Sequence, residues 1–181
     1  MNQRLLIAVV GPRSSGIKSL IRRYCYDESP KPGRLSCLDF PIKTHKFDDK
    51  NFDLAFMTAS YSECFHHLPS IYWKNSSLFI ICYDLSTTDG DKQCSQWILN
   101  VKTQIEHHRR CVDIVVAGTK VDLGDQRVEE FWAFCESQGV EGFVTSAVED
   151  RGIDGLMECV GRKGYECWER EQREGDGEKV G

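Results

Sequence analysis

The residues that could do chemistry begin at Gly11, where a short apolar run ends in a loop of small and polar residues. Four residues separate Gly11 from Gly16, and Arg13, Ser14 and Ser15 are among them. A glycine-rich loop that leads into a helix is typical of a phosphate-binding P-loop, in which backbone N–H groups and the helix N-terminus hold the phosphates. The spacing of the glycines predicts a site of that kind here.

The basic and hydroxyl residues of this loop come one position late. A regular P-loop continues from its second glycine directly into Lys and then Ser or Thr. Here Ile17 follows Gly16, and Lys18 and Ser19 come after it. If the loop bulges to absorb the extra residue, Lys18 can contact phosphate and Ser19 can bind a metal ion. Arg13 is an alternative phosphate ligand from within the loop.

Two further polar stretches follow predicted strands. The first contains Thr119, Lys120 and Asp122, and the second contains Ser146 and Ala147. The two carboxylate oxygens of Asp122 can accept hydrogen bonds from the N1–H and the exocyclic amine of a guanine base, a pair of donors that adenine does not offer. These stretches therefore predict a base-binding site.

Strand-like and helix-like patterns alternate along the chain. Apolar runs, two of them joined by a polar turn, predict strands over Leu5–Val10, Phe40–Phe47, Phe52–Met57, Leu78–Leu85, Val112–Ala117 and Gly142–Ser146. Apolar residues at helical spacing predict helices over Lys18–Tyr26, Lys92–His107, Gln126–Gln138 and Ile153–Trp168. This alternation implies a three-layer α/β domain with a mostly parallel sheet and one antiparallel edge strand. Its ligand is expected at the carboxyl ends of the strands.

Composition limits the class of protein further. The 181 residues suit one domain, which we expect over residues 1–169, followed by a charged and disordered tail over 170–181. A formal net charge of −5 argues against a nucleic-acid-binding surface. The nine cysteines are scattered and odd in number, so we expect free thiols in a reducing, cytoplasmic compartment.

Over residues 4–168 the chain resembles the Ras-like small GTPases, most closely their Rab-type members. The resemblance rests on the glycine loop, on the Thr119–Asp122 and Ser146–Ala147 stretches, and on Tyr83–Ser86 after the Leu78 strand. It implies a P-loop NTPase domain that binds GTP or GDP and Mg²⁺, with Ser19 as the metal ligand and no catalytic residue assigned. The nucleotide-binding residues that it implies are Gly11, Arg13, Ser14, Ser15, Gly16, Lys18, Ser19, Thr119, Lys120, Asp122, Ser146 and Ala147.

The chain departs from the family pattern where phosphate, magnesium and water would be bound. Met57, Ser60 and Tyr61 stand in place of the family's Asp, Gly and Gln, and Leu35 stands where a magnesium-binding Thr belongs. These changes favour weak or no GTP hydrolysis. We therefore expect an atypical switch or adaptor in intracellular vesicle traffic, or alternatively a nucleotide-free interaction subunit. A protein partner would bind residues 36–47 and 61–73, and no lipid anchor is predicted at the C-terminus.

Overall fold

The computed structural model describes residues 3–30, 41–47, 50–60, 75–108 and 112–177. Six strands and four α-helices alternate along this part of the chain. The strands are β1 (Gln3–Gly11), β2 (Ile42–Phe47), β3 (Lys50–Ser60), β4 (Leu78–Asp84), β5 (Asp113–Thr119) and β6 (Glu141–Val144). The helices are α1 (Ile17–Tyr26), α2 (Gly90–His108), α3 (Val128–Gln138) and α4 (Ile153–Gly177), with a short 3₁₀ turn at Val121–Leu123.

The six strands form one sheet in the order β2-β3-β1-β4-β5-β6. All neighbouring strands are parallel except β2, which pairs with β3 in the antiparallel direction. This arrangement confirms the predicted fold class, a mostly parallel sheet with one antiparallel edge strand. Parallel strands are joined by helices that pack on the faces of the sheet, whereas the β2–β3 hairpin supplies the antiparallel strand. The carboxyl ends of β1, β4, β5 and β6 consequently lie at one edge of the sheet.

The apolar runs are buried on both faces of the sheet. Along β1, Ile7 and Val9 belong to one core cluster, whereas Ala8 and Val10 belong to a second cluster on the opposite face. Successive side chains of a strand alternate between faces, so a continuous apolar run fills two layers at once.

The helices cover these two layers with apolar stripes. On α1 the buried residues are Ile17, Leu20, Ile21 and Tyr24, which follow the helical i, i+3, i+4, i+7 spacing. Helix α3 ends at Gly139, whose φ of 62° is the left-handed conformation expected of a glycine after a helix.

The last helix is longer than the sequence pattern predicted. It continues past Trp168 to Gly177, so residues 170–177 are helical and the expected disordered tail from residue 170 is wrong as far as Gly177. Arg170 reaches Asp113 at the start of β5 (3.3 Å), and Arg173 pairs with Glu169 one turn earlier (3.4 Å). Such pairs extend a helix that has no apolar face of its own. Residues 178–181 lie outside the described part.

Cysteines in the described part act as small apolar residues. The six of them are free thiols, and five are buried. Burial raises the pKa of the Cys82 thiol and of the Cys135 thiol to about 12, so both stay protonated at neutral pH. No helix of the described ranges combines the length and apolar character that a membrane crossing requires.

Two glycines of α4 differ in what a methyl group would meet. At Gly161 an added Cβ would lie 2.7 Å from Cδ2 of His45 on β2, whereas at Gly155 the nearest atoms, of Phe143, are 4.0 Å away. We expect Gly161→Ala to lower the free energy of unfolding by about 1–3 kcal/mol, because the imidazole ring must move. Gly155→Ala is the control and is expected to raise it by about 0.5 kcal/mol or more. Urea denaturation of both variants measures the difference, and equal stabilities would contradict this packing.

Candidate functional site

Three loops meet at the carboxyl edge of the sheet, as the sequence predicted. They follow β1, β5 and β6. The side chain of Thr119, at the end of β5, lies 2.7 Å from the carbonyl oxygen of Ser15 and 3.2 Å from that of Tyr83. The N–H of Val121 donates to the carbonyl of Thr145 (3.3 Å). The buried Thr119 hydroxyl thus connects the glycine loop to the predicted base-binding stretch.

Ser146 holds the carboxylate of Asp122 in place. Its buried hydroxyl donates to Asp122 Oδ1 (2.6 Å) and accepts a hydrogen bond from the N–H of Glu149 (3.0 Å). The serine therefore has a fixed donor direction. A carboxylate has about four acceptor positions, so this bond leaves the carboxylate able to accept from a ligand. The hydrogen bond between Ser146 and Asp122 brings these two residues, both predicted to bind the base, next to each other.

Lys120 is positioned by a carboxylate that the sequence reasoning did not assign to the site. Its Nζ lies 2.6 Å from Oδ2 of Asp84, at the end of β4, and Asp84 is 5% exposed. The other oxygen of Asp84 accepts from the N–H and the hydroxyl of Ser86 (2.9 and 2.6 Å). Lys120 itself has a left-handed backbone (φ 64°). The ammonium is thereby directed to Asp84, and the methylene stem is left to line the site.

A cavity of about 230 Å³ opens between these loops. Its walls are mostly apolar, and Asp122 is the acidic residue of the lining. The lining residues are Gly16, Ser19, Leu20, Pro30, Thr119, Lys120, Asp122, Leu123, Thr145, Ala147 and Val148. A mostly apolar cavity with a few placed polar groups is typical of a small-molecule site.

The lining includes residues that sequence reasoning missed. Leu123 and Val148 are more than half exposed and form apolar walls at the mouth. Arg23 on α1 donates from Nε to the carbonyl oxygen of Ala147 (2.8 Å) and pairs with Asp27 (2.9 Å). Arg23 therefore joins α1 to the loop that follows β6. No local pattern distinguishes Arg23 from a surface arginine, because its partner Ala147 is distant in sequence.

The glycine loop has a backbone conformation that requires glycine at both of its ends. Gly16 has a φ of 85°, and a side chain at Gly11 would lie 3.0 Å from the carbonyl oxygen of Cys82. Between them, both the N–H and the hydroxyl of Ser15 donate to the carbonyl of Pro12 (3.2 and 2.8 Å). Arg13 and Ser14 are exposed at the outside of the loop. The loop is therefore compact, and the Ser15 side chain is hydrogen-bonded within it.

The structure contains no bulge that could bring Lys18 into the lysine position. Helix α1 begins at Ile17, directly after Gly16, and the N–H of Leu20 donates to the carbonyl of Gly16 (2.9 Å) in the regular helical pattern. Ile17 is 2% exposed and packs in the core. Ser19 lines the cavity together with Lys120 and Asp122, two residues predicted to bind the base. The bulge that would carry Ser19 to a metal is therefore contradicted by the geometry.

The residues present do not fit a magnesium ion. Met57 occupies the place of the expected aspartate, pairs in register with Ala8, and is buried in the second core cluster. Within the described ranges, no group of three or more His, Cys, Asp or Glu side chains could hold a metal. Ser60 pairs with Gly11 at the end of β3. Leu35 and Tyr61 lie outside the described residues.

Replacing Lys120 by methionine tests the ion pair at this site. The change keeps a long apolar side chain and removes the charge, which leaves the buried carboxylate of Asp84 without its cation. We expect the free energy of unfolding to fall by about 3 kcal/mol, the lower end for breaking a buried pair. The double variant Lys120→Met/Asp84→Asn should recover most of that loss in urea denaturation. Additive losses in the double variant would mean that the two side chains are not coupled.

Comparison with known proteins agrees with this arrangement. A family model described as the Ras family matches residues 6–165. The "Ras-related protein Rab-21" of Homo sapiens and that of Bos taurus are each 26% identical over 156 residues, which covers 83% of this chain and 68% of theirs. The protein of the same name from Geodia cydonium is 26% identical over 155 residues, covering 83% and 66%. Because the family model spans most of the chain, and the relatives that match are Rab proteins, this chain belongs to the Ras family of small GTPases and is of the Rab type.

Proposed function

We propose that this protein binds guanine nucleotides through the base, hydrolyses GTP poorly or not at all, and works as an adaptor or switch for a protein partner. The observation that carries the proposal is the contrast between the two halves of the site. On the base side, Asp122 is held by Ser146 and Lys120 is held by Asp84. On the phosphate side, Ile17 and Met57 are buried in the core.

Base recognition follows from the chemistry of the cavity. The Asp122 carboxylate accepts from the two neighbouring N–H donors of guanine, and the Lys120 stem lies along one face of the ring. The apolar walls, including Leu123 and Val148, exclude water from those hydrogen bonds. Charge-assisted hydrogen bonds in such a setting are stronger than neutral ones. Adenine presents an acceptor where guanine presents N1–H, so it leaves the carboxylate unsatisfied.

The proposal of weak hydrolysis rests on what the phosphate side lacks. Phosphoryl transfer is catalysed by positioning and by positive charge at the transferred phosphate. Ile17 places an apolar side chain where a P-loop has its lysine, and Met57 places another where the family has a carboxylate. Neither side chain can stabilise charge or orient a water molecule.

A role in vesicle traffic is proposed from the Rab-type relatives, and the partner surface from the sheet edge. Of the two segments expected to contact a partner, the structure describes residues 41–47. They include β2, which lies at the edge of the sheet and alternates between exposed and half-buried residues. Ile42 on this strand is 47% exposed. An exposed apolar residue on an edge strand suits a protein contact.

Thermal unfolding and single-turnover phosphate release test the proposal together. GTP and GDP should each raise the unfolding temperature, ATP and ADP should not, and phosphate release from GTP should stay at the buffer rate. Phosphate release well above that rate would contradict the loss of hydrolysis. A shift with neither guanine nucleotide would favour the second candidate, a nucleotide-free interaction subunit, for which the buried Ile17 is the supporting observation.

A further inference from the structure

We propose that guanine nucleotides bind to this protein without magnesium, and that the ammonium group of Lys18 supplies the positive charge that the metal would otherwise bring to the phosphates. The inference rests on the proposed guanine site. It specifies the form of the ligand as the metal-free nucleotide. It also gives Lys18 on α1 a role in phosphate binding, although a regular P-loop has Ser or Thr and no cation at that position.

The position of Lys18 follows from the regular start of α1. In a P-loop, the hydroxyl that binds magnesium belongs to the second residue after the second glycine. Because the helix begins directly after Gly16, that position is Lys18 here. An ammonium group has three donors and no lone pair, so it cannot bind a metal and repels one. It can donate to a phosphate oxygen in the metal's place.

Two other residues near the position expected for a metal, Met57 and Ser19, do not offer it a ligand. Met57, which replaces the expected carboxylate, is 7% exposed and packs in the core. Ser19, the nearest hydroxyl after Lys18, lines the cavity on the base side. A magnesium ion brought in with the nucleotide would therefore gain no protein ligand from these three residues and would have to approach a lysine.

The loop itself can still receive phosphate. Gly16 keeps its left-handed conformation, and α1 presents its N-terminus to the loop. N-termini of helices favour anions, and each nucleotide phosphate that is not complexed with a metal carries more negative charge. With a cation at Lys18 and no carboxylate at residue 57, the local charge suits the metal-free nucleotide better than its magnesium complex.

Calorimetric titrations with guanosine and GDP, in EDTA and in MgCl₂, test this inference on the full chain. We expect magnesium to change the GDP affinity by less than about twofold. Lys18→Gln should weaken GDP binding about tenfold, the loss of one charge-assisted contact, and leave guanosine binding unchanged. Lys18→Arg should keep most of the GDP affinity. Lys92→Gln, the same change on the exposed start of α2, is the control and should alter neither.

The outcomes separate the inference from the proposed function. Magnesium tightening GDP binding tenfold or more would overturn the metal-free site while leaving the guanine site intact. An unchanged GDP affinity in Lys18→Gln would overturn the role of Lys18. Failure of both guanosine and GDP to bind in either buffer would overturn the guanine site and this inference with it.

Discussion

Replacing Asp122 by alanine is expected to lower the affinity for GDP by about a hundredfold or more. The carboxylate is the negatively charged group in the lining of the cavity, and Ser146 fixes its direction through a 2.6 Å hydrogen bond. Two charge-assisted hydrogen bonds to the base are lost, each worth about 1.5–3 kcal/mol. Titration calorimetry measures the loss directly.

A nearby aspartate gives the matched control for this variant. Asp125 is exposed, follows the same 3₁₀ turn, and does not line the cavity. Asp125→Ala should keep the GDP affinity within about twofold, since it removes the same charge but no base contact, and the charge of an exposed carboxylate is screened by solvent and salt. If the two variants weaken GDP binding equally, the effect of Asp122 is general electrostatics and not base recognition.

Replacing Ile17 by lysine restores the P-loop residue and is expected to damage the fold. Ile17 is 2% exposed and packs in the same core cluster as Leu20, Ile21 and Tyr24. Losing its apolar contacts and burying part of a charged side chain should lower the free energy of unfolding by about 3 kcal/mol. Ile17→Val, which keeps the shape and the apolar character, should cost about 1 kcal/mol.

Urea denaturation of the two variants distinguishes a core residue from a lost ligand residue. The expected result is the large difference between Ile17→Lys and Ile17→Val. Stability in Ile17→Lys equal to that of the wild type, combined with a gain in GTP affinity, would show that residue 17 faces the phosphates. That result would contradict the assignment of Ile17 to the core.

The strands and helices were predictable because their signals are local. The apolar runs of β1, β4 and β5 are buried on both faces, so their sequences alone distinguish them from the loops that follow. The stripe on α1 has the spacing of one helical face. The order of the three polar loops along the chain then places them at one edge of the sheet, because the strands before them are parallel.

The contacts that hold the site together were less predictable because they join distant residues. Asp84 and Lys120 are 36 positions apart, and Arg23 and Ala147 are 124 apart. Neither pair has a spacing that a single sequence reveals. The positions of Lys18 and Ser19 were also not predictable, because they depend on whether the loop bulges. The packing of Ile17 in the core is incompatible with a bulge.

The helical end of α4 shows a different limit. Residues 170–177 have no apolar face, which is why the sequence indicates a disordered tail there. Charged pairs accompany the extension of the helix, one of them between Arg170 and Asp113 at the start of β5. Apolar spacing does not reveal an extension of a helix whose side chains form ion pairs and do not pack in the core.

The most direct test of the account is a pair of calorimetric titrations in EDTA, one with GDP and one with ADP. We expect saturable binding of GDP at a single site and no binding of ADP, because Asp122 requires the N1–H and amine donors of guanine. Equal binding of the two nucleotides would contradict base recognition. Binding of neither would contradict the retained guanine site.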